Sequence, residues 1–210
     1  MTYWGVLADI HGNLPALQRA LSAFRERGVE RISVLGDNLG RGDADACVAL
    51  IRGVADVSVV GNRDLDWQDR VSPESVSYVL GLPRLVQVDG IAFSHGDARL
   101  TRDLTTDDVR TGFRRARRWL VANGCRVWLF GHSHHARVWT VTDDDAVPVQ
   151  HLDAARDGLP AQADLSATVA APGSLTIINA GSVGLPFGGK GPASATLYDS
   201  AAHTVEFFAI

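Results

Sequence analysis

The chain has 210 residues, of which 46% are hydrophobic and 21% are charged, and its formal net charge is -4 at pH 7. These proportions are those of an ordinary globular domain, so they exclude a disordered, collagenous or coiled-coil chain. The negative charge gives no general attraction to nucleic acid or to an anionic membrane, and no apolar run approaches the ~18 residues that a membrane-spanning helix needs.

The cysteine content, the N-terminal residues and the chain length predict the compartment and the number of domains. Two cysteines, Cys47 and Cys125, do not make a disulfide framework. Residues 1–10 lack the basic region that opens a signal peptide. The sequence therefore predicts a single cytoplasmic domain over residues 1–210, with no nucleic-acid or membrane partner. It leaves assembly into a homo-oligomer open.

The first part of the chain alternates between short apolar runs and segments of helical period. Short apolar runs predict buried strands, and helical spacing of apolar residues behind an N-cap predicts helices. Strands are predicted at residues 3–8, 31–35, 56–60, 85–88, 91–94 and 126–130. Helices are predicted between Asn13 and Gly28 and at residues 45–52, 72–80 and 105–123.

The later part of the chain is mostly strand. Strands without intervening helices are predicted at residues 136–141, 147–152, 174–178, 195–198 and 204–210. Residues 153–173 have no clear period and are predicted to form a long irregular loop or a loose hairpin. An alternating first half followed by a mostly β second half predicts an α/β fold, a four-layer αββα sandwich of two mixed β-sheets flanked by helices.

Five of the apolar strands end in a short polar segment that contains glycine. These segments are Asp9-Ile10-His11-Gly12, Gly36-Asp37-Asn38, Gly61-Asn62-Arg63-Asp64, Ser94-His95-Gly96-Asp97 and Gly131-His132-Ser133-His134. Because the carboxyl ends of parallel strands line the ligand crevice of an open α/β sheet, we expect the five segments to converge. Glycine beside each polar residue allows a sharp turn and a close approach of the backbone.

Together the five segments carry two carboxylates, one amide oxygen and four imidazoles, all of which are metal ligands. They are Asp9, His11, Asp37, Asn62, His95, His132 and His134. Seven ligands are too many for one ion but suit two ions that share a carboxylate. Two metal ions ~3.5–4 Å apart stabilise the attacking and leaving oxygens of a phosphoryl displacement. Each motif alone is also typical of a turn or a helix cap, so the prediction depends on their joint occurrence at strand ends.

In this order, the motifs resemble those of the calcineurin-like metallophosphoesterase superfamily. Residues 9–17 and 179–184 are similar to its small bacterial diadenosine tetraphosphatase-like and YfcE-like members, and the resemblance extends from about Leu7 to Leu185. It implies a metal-dependent phosphoesterase that hydrolyses phosphate mono- or diesters, or phosphoanhydrides, of small molecules. The implied nucleophile is a hydroxide that lies between the two ions.

The resemblance also implies a set of ligands for each ion. One ion would be held by Asp9, His11 and His134. The other would be held by Asn62, His95 and His132, and Asp37 would bridge the two. The implied cofactors are two divalent transition-metal ions, with manganese favoured and iron, zinc, cobalt or nickel as alternatives, because all accept mixed nitrogen and oxygen ligands.

Arg63 departs from the pattern of many superfamily members, which have histidine after the asparagine of the third motif. That histidine is thought to contact phosphate and to help protonate the leaving group. Arginine stays protonated and cannot donate that proton, but its planar guanidinium binds phosphate oxygens well. We predict that Arg63 is catalytic through binding of substrate and of transition-state charge, which favours acidic leaving groups. The alternative is an exposed ion pair with Asp64 or Asp66.

Two further residues on the second polar segment are candidates for substrate binding, namely Asn38 and Arg41. Arg41 has the spacing of the phosphate-binding arginine in phosphoprotein phosphatases, although Gly40 replaces their aspartate. A solvated loop arginine is the alternative for Arg41. For the whole chain, the alternatives are a catalytically weak binding scaffold and a protein serine/threonine phosphatase. A nuclease is disfavoured, because nucleic-acid binders usually have a broader basic surface.

Overall fold

The computed structural model describes residues 3–96, 106–142, 148–185 and 192–210. Within these ranges the strands are β1 (Tyr3–Leu7), β2 (Arg31–Val34), β3 (Val57–Ser58), β4 (Leu85–Val88), β5 (Ile91–Ser94), β6 (Val127–Phe130), β7 (Ala136–Val141), β8 (Val149–Asp153), β9 (Ala161–Asp164), β10 (Leu175–Ala180), β11 (Ser194–Asp199) and β12 (Thr204–Ala209). The helices are α1 (Leu14–Glu26), α2 (Ala44–Val54), α3 (Asn62–Asp66), α4 (Pro73–Leu80), α5 (Thr106–Ala122), α6 (Ala154–Asp157) and α7 (Ser166–Ala170).

The strands form two six-stranded sheets, which confirms the predicted pair of mixed β-sheets. The first sheet has the order β3-β2-β1-β11-β12-β9, and the second has the order β4-β5-β6-β10-β7-β8. In the first sheet β1, β2 and β3 run parallel, and in the second β5, β6 and β10 run parallel. The other pairings are antiparallel.

Apolar side chains form three cores, one between the two sheets and one on the outer face of each sheet, beneath the helices. Between the sheets, Trp4 of β1 meets Phe93 of β5 with ring centroids 4.9 Å apart. Outside the first sheet, Phe24 of α1 packs in a cluster with Phe208 of β12. Outside the second sheet, Phe113 of α5 packs against Trp128, Phe130 and Trp139. The αββα order of layers follows.

The helices that flank the first sheet begin at side chains that cap them. The Asn13 side chain accepts a hydrogen bond from the backbone of Ala16 at the start of α1, and Pro15 occupies the first turn, where its missing N–H costs nothing. Asp43 caps α2 in the same way through the backbone N–H of Ala46. Because α1 starts just after the first polar segment and α2 starts a few residues after the second, these caps help to fix the two turns.

Residues 153–173 differ from the prediction, since they are not an irregular loop. They contain α6, β9 and α7, and β9 adds an edge strand to the first sheet by antiparallel pairing with β12. Each of these elements has only four or five residues, too few to show a period. A four-residue edge strand is defined by the neighbour that it pairs with rather than by its own sequence.

No helix within the described ranges has the length and apolar character needed to cross a bilayer.

Candidate metal centre

The polar segments that follow five strands meet at one edge of the sandwich. Asp9, His11 and Asp37 follow the parallel strands β1 and β2, and Asn62 opens α3, the first element after β3. From the second sheet, His95 follows β5, and His132 and His134 follow β6. Two overlapping groups of these side chains have ligand atoms within 4.8 Å of one another: Asp9, His11 and His134, and Asp9, Asp37 and His95.

The backbone at this edge is held in an unusual conformation. In the described part of the chain, seven non-glycine residues have a positive φ, and five of them are predicted metal ligands. These five are Asp9 (54°), His11 (50°), Asp37 (54°), His132 (69°) and His134 (59°). A left-handed conformation is disfavoured for residues other than glycine and is found mainly where function requires it. It turns these side chains out of the strand direction and toward the centre.

Glycine is needed where the turns touch. A β-carbon at Gly61 would collide with the backbone nitrogen and the carboxylate of Asp37, and one at Gly40 would collide with the carbonyl group of His11. The turns after β1, β2 and β3 therefore pack backbone against backbone. Hydrogen bonds of 2.9 Å from the His11 N–H to the Asp37 carbonyl and from the Gly12 N–H to the Asn38 carbonyl join the first two turns.

The first group of ligands surrounds one oxygen of Asp9. Asp9 Oδ1 lies 3.2 Å from His134 Nε2 and 3.9 Å from His11 Nε2, and the two imidazole nitrogens are 3.3 Å apart. The other oxygen, Oδ2, accepts a hydrogen bond of 2.9 Å from the backbone of His132. Oδ1 is fully buried and accepts no well-aligned hydrogen bond from the described residues. A buried carboxylate oxygen in that state is costly unless a cation is its partner.

The second group of ligands is centred on His95. Its Nε2 lies 3.1 Å from Asn62 Oδ1, 3.1 Å from His132 Nδ1 and 3.3 Å from Asp37 Oδ1. Asn62 Oδ1 is also 2.9 Å from His132 Nδ1. On the other side of the ring, His95 Nδ1 is 2.7 Å from the carbonyl oxygen of Leu35, which can only accept a proton. That bond holds one ring proton on Nδ1, so a metal would bind at Nε2 in place of a second proton.

Asp37, a member of the second group, also lies close to His11 of the first group. Its Oδ2 is 3.9 Å from His11 Nε2 of the first group, and its Oδ1 is 3.3 Å from His95 Nε2 of the second. The backbone N–H of Arg63 donates a hydrogen bond of 2.7 Å to Oδ1 and so fixes the carboxylate plane. Asp37 thus lies close to predicted ligands of both ions, as its predicted bridging role requires.

The electrostatics of the site favour positive charge. Burial opposes the charged form of His95, but the hydrogen bond and negative charge of Asp37, with that of Asp9, raise its pKa to about 9. Burial also works to raise the pKa of Asp37, yet the contacts with His95 outweigh it and the net pKa is lowered. His11 shows the opposite balance, since burial lowers its pKa despite Asp9 and Asp37. Buried carboxylates among imidazoles thus form an anionic pocket with nitrogen and oxygen donors, which suits divalent transition metals.

The three residues predicted to bind substrate lie in different surroundings. The Arg63 side chain is 53% exposed, and its Nη1 lies 3.8 Å from Asp66 Oδ2. The exposed ion pair that was the alternative for Arg63 is therefore formed with Asp66 and not with Asp64. Arg41 is exposed on the turn after β2. Asn38 is fully buried, and its amide donates a hydrogen bond of 3.2 Å to Asp64.

The side chains of Asp64 and Ser182 both support the site, in roles that the sequence analysis did not assign to them. Asp64 is fully buried and accepts hydrogen bonds from Asn38, Leu39 and Gly61. Burial raises the pKa of Asp64 to about 6, against the opposing effect of the N–H groups of Gly61 and Leu39. The spacing of Asp64 three residues after Gly61 is that of a helix-capping carboxylate, and this signal points to it.

Ser182 supports the first ligand segment from the opposite side. Its hydroxyl donates a hydrogen bond of 3.0 Å to the Asp9 carbonyl and accepts one of 2.9 Å from the backbone of Leu185. The Gly184 N–H donates to the same carbonyl at 2.9 Å. The segment after β10 therefore anchors the left-handed turn that carries Asp9.

Comparisons with known proteins bear on the family and the fold of the chain. A family model described as the calcineurin-like phosphoesterase superfamily domain matches residues 3–201. An uncharacterized protein of Methanocaldococcus jannaschii is 47% identical over 60 residues, which is 28% of this chain and 25% of that protein. The chain thus matches only a quarter of the length of this curated relative.

Two crystal structures are similar over the whole described fold. A metallophosphoesterase from Sphaerobacter thermophilus has a TM-score of 0.76 at 24% identity, over 100% of this chain and 88% of that one. A hypothetical protein from Pyrococcus horikoshii has a TM-score of 0.66 at 18% identity, with the same coverage. At these identities the likeness establishes the fold.

Proposed function

The chain belongs to the calcineurin-like phosphoesterase superfamily, and we propose that it is a metal-dependent phosphoesterase that hydrolyses small phosphorylated molecules. The observation that supports this most strongly is the meeting of two carboxylates, an amide and four imidazoles from five strand ends. No other arrangement of described residues gathers so many metal donors. Such a centre is suited to phosphoryl transfer, because charge on the phosphoryl oxygens must be neutralised.

In this proposal each ion has its own ligands. Asp9, His11 and His134 would hold one ion, and Asn62, His95 and His132 would hold the other. Asp37 would be a ligand of both. Two divalent ions bound there would supply an activated water molecule and neutralise negative charge on the substrate. Manganese is the favoured metal, and iron, zinc, cobalt or nickel also suit the donor set.

The chain's own residues orient these donors before substrate arrives. The Leu35 carbonyl fixes the His95 tautomer, and the Arg63 N–H fixes the Asp37 carboxylate. Ligands that are held by a second set of hydrogen bonds need little rearrangement during reaction. The left-handed backbone at Asp9, His11 and Asp37 has the same effect, since the surrounding turns hold a conformation that the free chain avoids.

The Arg63 side chain is proposed to bind the phosphoryl group. Its pair with Asp66 is long and exposed on both sides, and such pairs contribute little, so a phosphate can readily replace the carboxylate as its partner. A guanidinium cannot protonate a leaving group at neutral pH. The substrates that best suit this site are therefore esters and anhydrides with acidic leaving groups, such as aryl phosphates or phosphoanhydrides.

Hydrolysis of p-nitrophenyl phosphate and of bis(p-nitrophenyl) phosphate, with and without manganese, tests the function. Asp37→Asn is the diagnostic variant, and Asp89→Asn is its matched control. Both aspartates have a positive φ, 54° and 52°, which asparagine tolerates, but Asp89 lies on the exposed β4–β5 turn. We expect manganese-stimulated turnover that Asp89→Asn leaves unchanged. Asp37→Asn should lower it by more than the about 10–100-fold that is typical of losing a group that only supports a metal ligand.

Other outcomes contradict the proposal in distinct ways. Manganese bound without turnover of either ester supports the binding scaffold instead. Turnover of a phosphoserine peptide far above that of the small esters supports the protein phosphatase. Equal turnover by the two variants places the activity elsewhere or in a contaminant.

A further inference from the structure

Asp64 lies behind the candidate centre, and its carboxylate binds two of the turns that carry metal ligands. Oδ1 accepts hydrogen bonds from the backbone of Asn38 (2.8 Å) and Leu39 (2.9 Å). Oδ2 accepts from the backbone of Gly61 (2.9 Å) and from the Asn38 side-chain amide (3.2 Å). The side chain is fully buried, so no solvent competes for these bonds.

The partners of Asp64 are neighbours of two ligands in sequence. Asn38 directly follows Asp37, and Gly61 directly precedes Asn62. We propose that Asp64 is a positioning residue that fixes the distance between Asp37 and Asn62. It thereby determines the affinity for the ion that Asn62, His95 and His132 would hold. This inference depends on the proposed function, because it presumes that these residues bind ions.

Only a carboxylate satisfies the four groups that face residue 64. All four are N–H donors, and an ionised aspartate offers two oxygens that only accept. An asparagine there would turn an NH₂ group toward at least one of these donors. Alanine would leave all four donors buried without a partner, and glutamate would force an extra methylene into a packed position.

Replacement of Asp64 should weaken the binding of one ion and not of both. The turn that carries Asp37 is also bonded to the turn that carries His11, through the His11 and Gly12 N–H groups at 2.9 Å. Those bonds use carbonyl oxygens of Asp37 and Asn38, and they persist when residue 64 changes. Asp9, His11 and His134 therefore keep their arrangement, whereas the link from Asp37 to Asn62 is weakened.

Manganese titration of the purified chain, followed by calorimetry and electron paramagnetic resonance, tests the inference. We expect the natural chain to bind two ions and to show the spectrum of a spin-coupled pair. Asp64→Asn should bind its first ion unchanged and its second about 10–100-fold more weakly, which is the usual effect of losing a group that supports a metal ligand. The resonance signal of the spin-coupled pair should then appear only at a proportionally higher manganese concentration.

Two controls separate positioning from a general loss of stability. Asp66→Asn removes an exposed carboxylate from the same helix, α3, and should leave both affinities unchanged. Leu165→Ala removes a fully buried side chain at the opposite end of the first sheet, beside His203. This variant should have a lower melting temperature, but its affinity for the second manganese ion should not fall more than its affinity for the first.

The possible results distinguish this inference from the proposed function. A natural chain that binds no ion overturns both. A natural chain that binds two ions, with an unchanged second affinity in Asp64→Asn, overturns the role of Asp64 alone, as does an equal weakening of both ions. If Asp64→Asn does not fold, Asn38→Ala removes one of the four bonds, and an unaltered second affinity in that variant overturns the inference.

Discussion

The backbone N–H of Arg63 donates a hydrogen bond of 2.7 Å to Asp37 Oδ1, while the Arg63 side chain is 53% exposed and lies near Asp66. The two parts of this residue therefore have separate tasks. The main chain orients a candidate bridging ligand whatever side chain is present. The side chain can be exchanged to test substrate chemistry without moving Asp37.

Replacement of Arg63 by histidine should change how rate depends on the leaving group. A positioned general acid contributes ~10²–10⁴ in rate, and most when the leaving group is basic. Across phosphate esters of graded leaving-group pKa, the natural chain should lose rate steeply toward alkyl esters, and Arg63→His should lose it less steeply. Metal content should be equal in both. Parallel dependences would show that residue 63 takes no part in protonation of the leaving group.

Manganese should raise the melting temperature of the natural chain, and a chelator should reverse the rise. A ligand that binds only the folded state at 100 times its dissociation constant stabilises that state by about 2.7 kcal/mol. Asp9→Asn should lose most of this gain, because Oδ1 of Asp9 faces two imidazoles and no well-aligned donor. Asparagine tolerates the positive φ of residue 9, so the metal-free variant should still fold. Equal stabilisation of both chains would remove Asp9 from the ligand set.

Asp45 should contribute to acid sensitivity through its contacts with the start of α4. It accepts hydrogen bonds from the Ser72 hydroxyl (2.6 Å), the Ser72 N–H (3.0 Å) and the Ser75 hydroxyl, and these contacts lower its pKa from 3.8. A lowered folded-state pKa stabilises the fold above the unfolded pKa, and this stabilisation is lost as the pH falls through the folded pKa. The contribution is therefore complete above about pH 4 and declines below it.

Urea unfolding of the natural chain and of Asp45→Asn between pH 3 and 7 measures this contribution. The difference in unfolding free energy should be constant from pH 5 to 7 and should shrink toward pH 3, since protonation then removes from the natural chain the charge that the variant already lacks. Asp69→Asn, which removes another exposed aspartate, controls for net charge. A difference that grows on acidification would assign the opposite sign to the pKa shift of Asp45.

Much of the fold is visible in local sequence. The strands β4 and β5, on either side of Asp89-Gly90, occur at the residues that their apolar runs and the turn between them predict. The edge strand β9 was missed, since four residues gain their structure from pairing with β12. The helix α3 was missed as well, because five residues that follow a glycine have the pattern of a turn.

The sequence by itself determined which side chains stand at the strand ends and what chemistry they offer, because glycine, aspartate, asparagine and histidine after an apolar run are local features. Only the tertiary structure decided which of these side chains lie close enough to bind the same ion. His11 and His134, for example, meet although 123 positions separate them in sequence. It also assigned Asp64 to the turns that it joins and placed the Arg63 guanidinium in solvent. The reason is physical: strand order and the packing of one turn against another set these contacts, and both depend on residues distant in sequence.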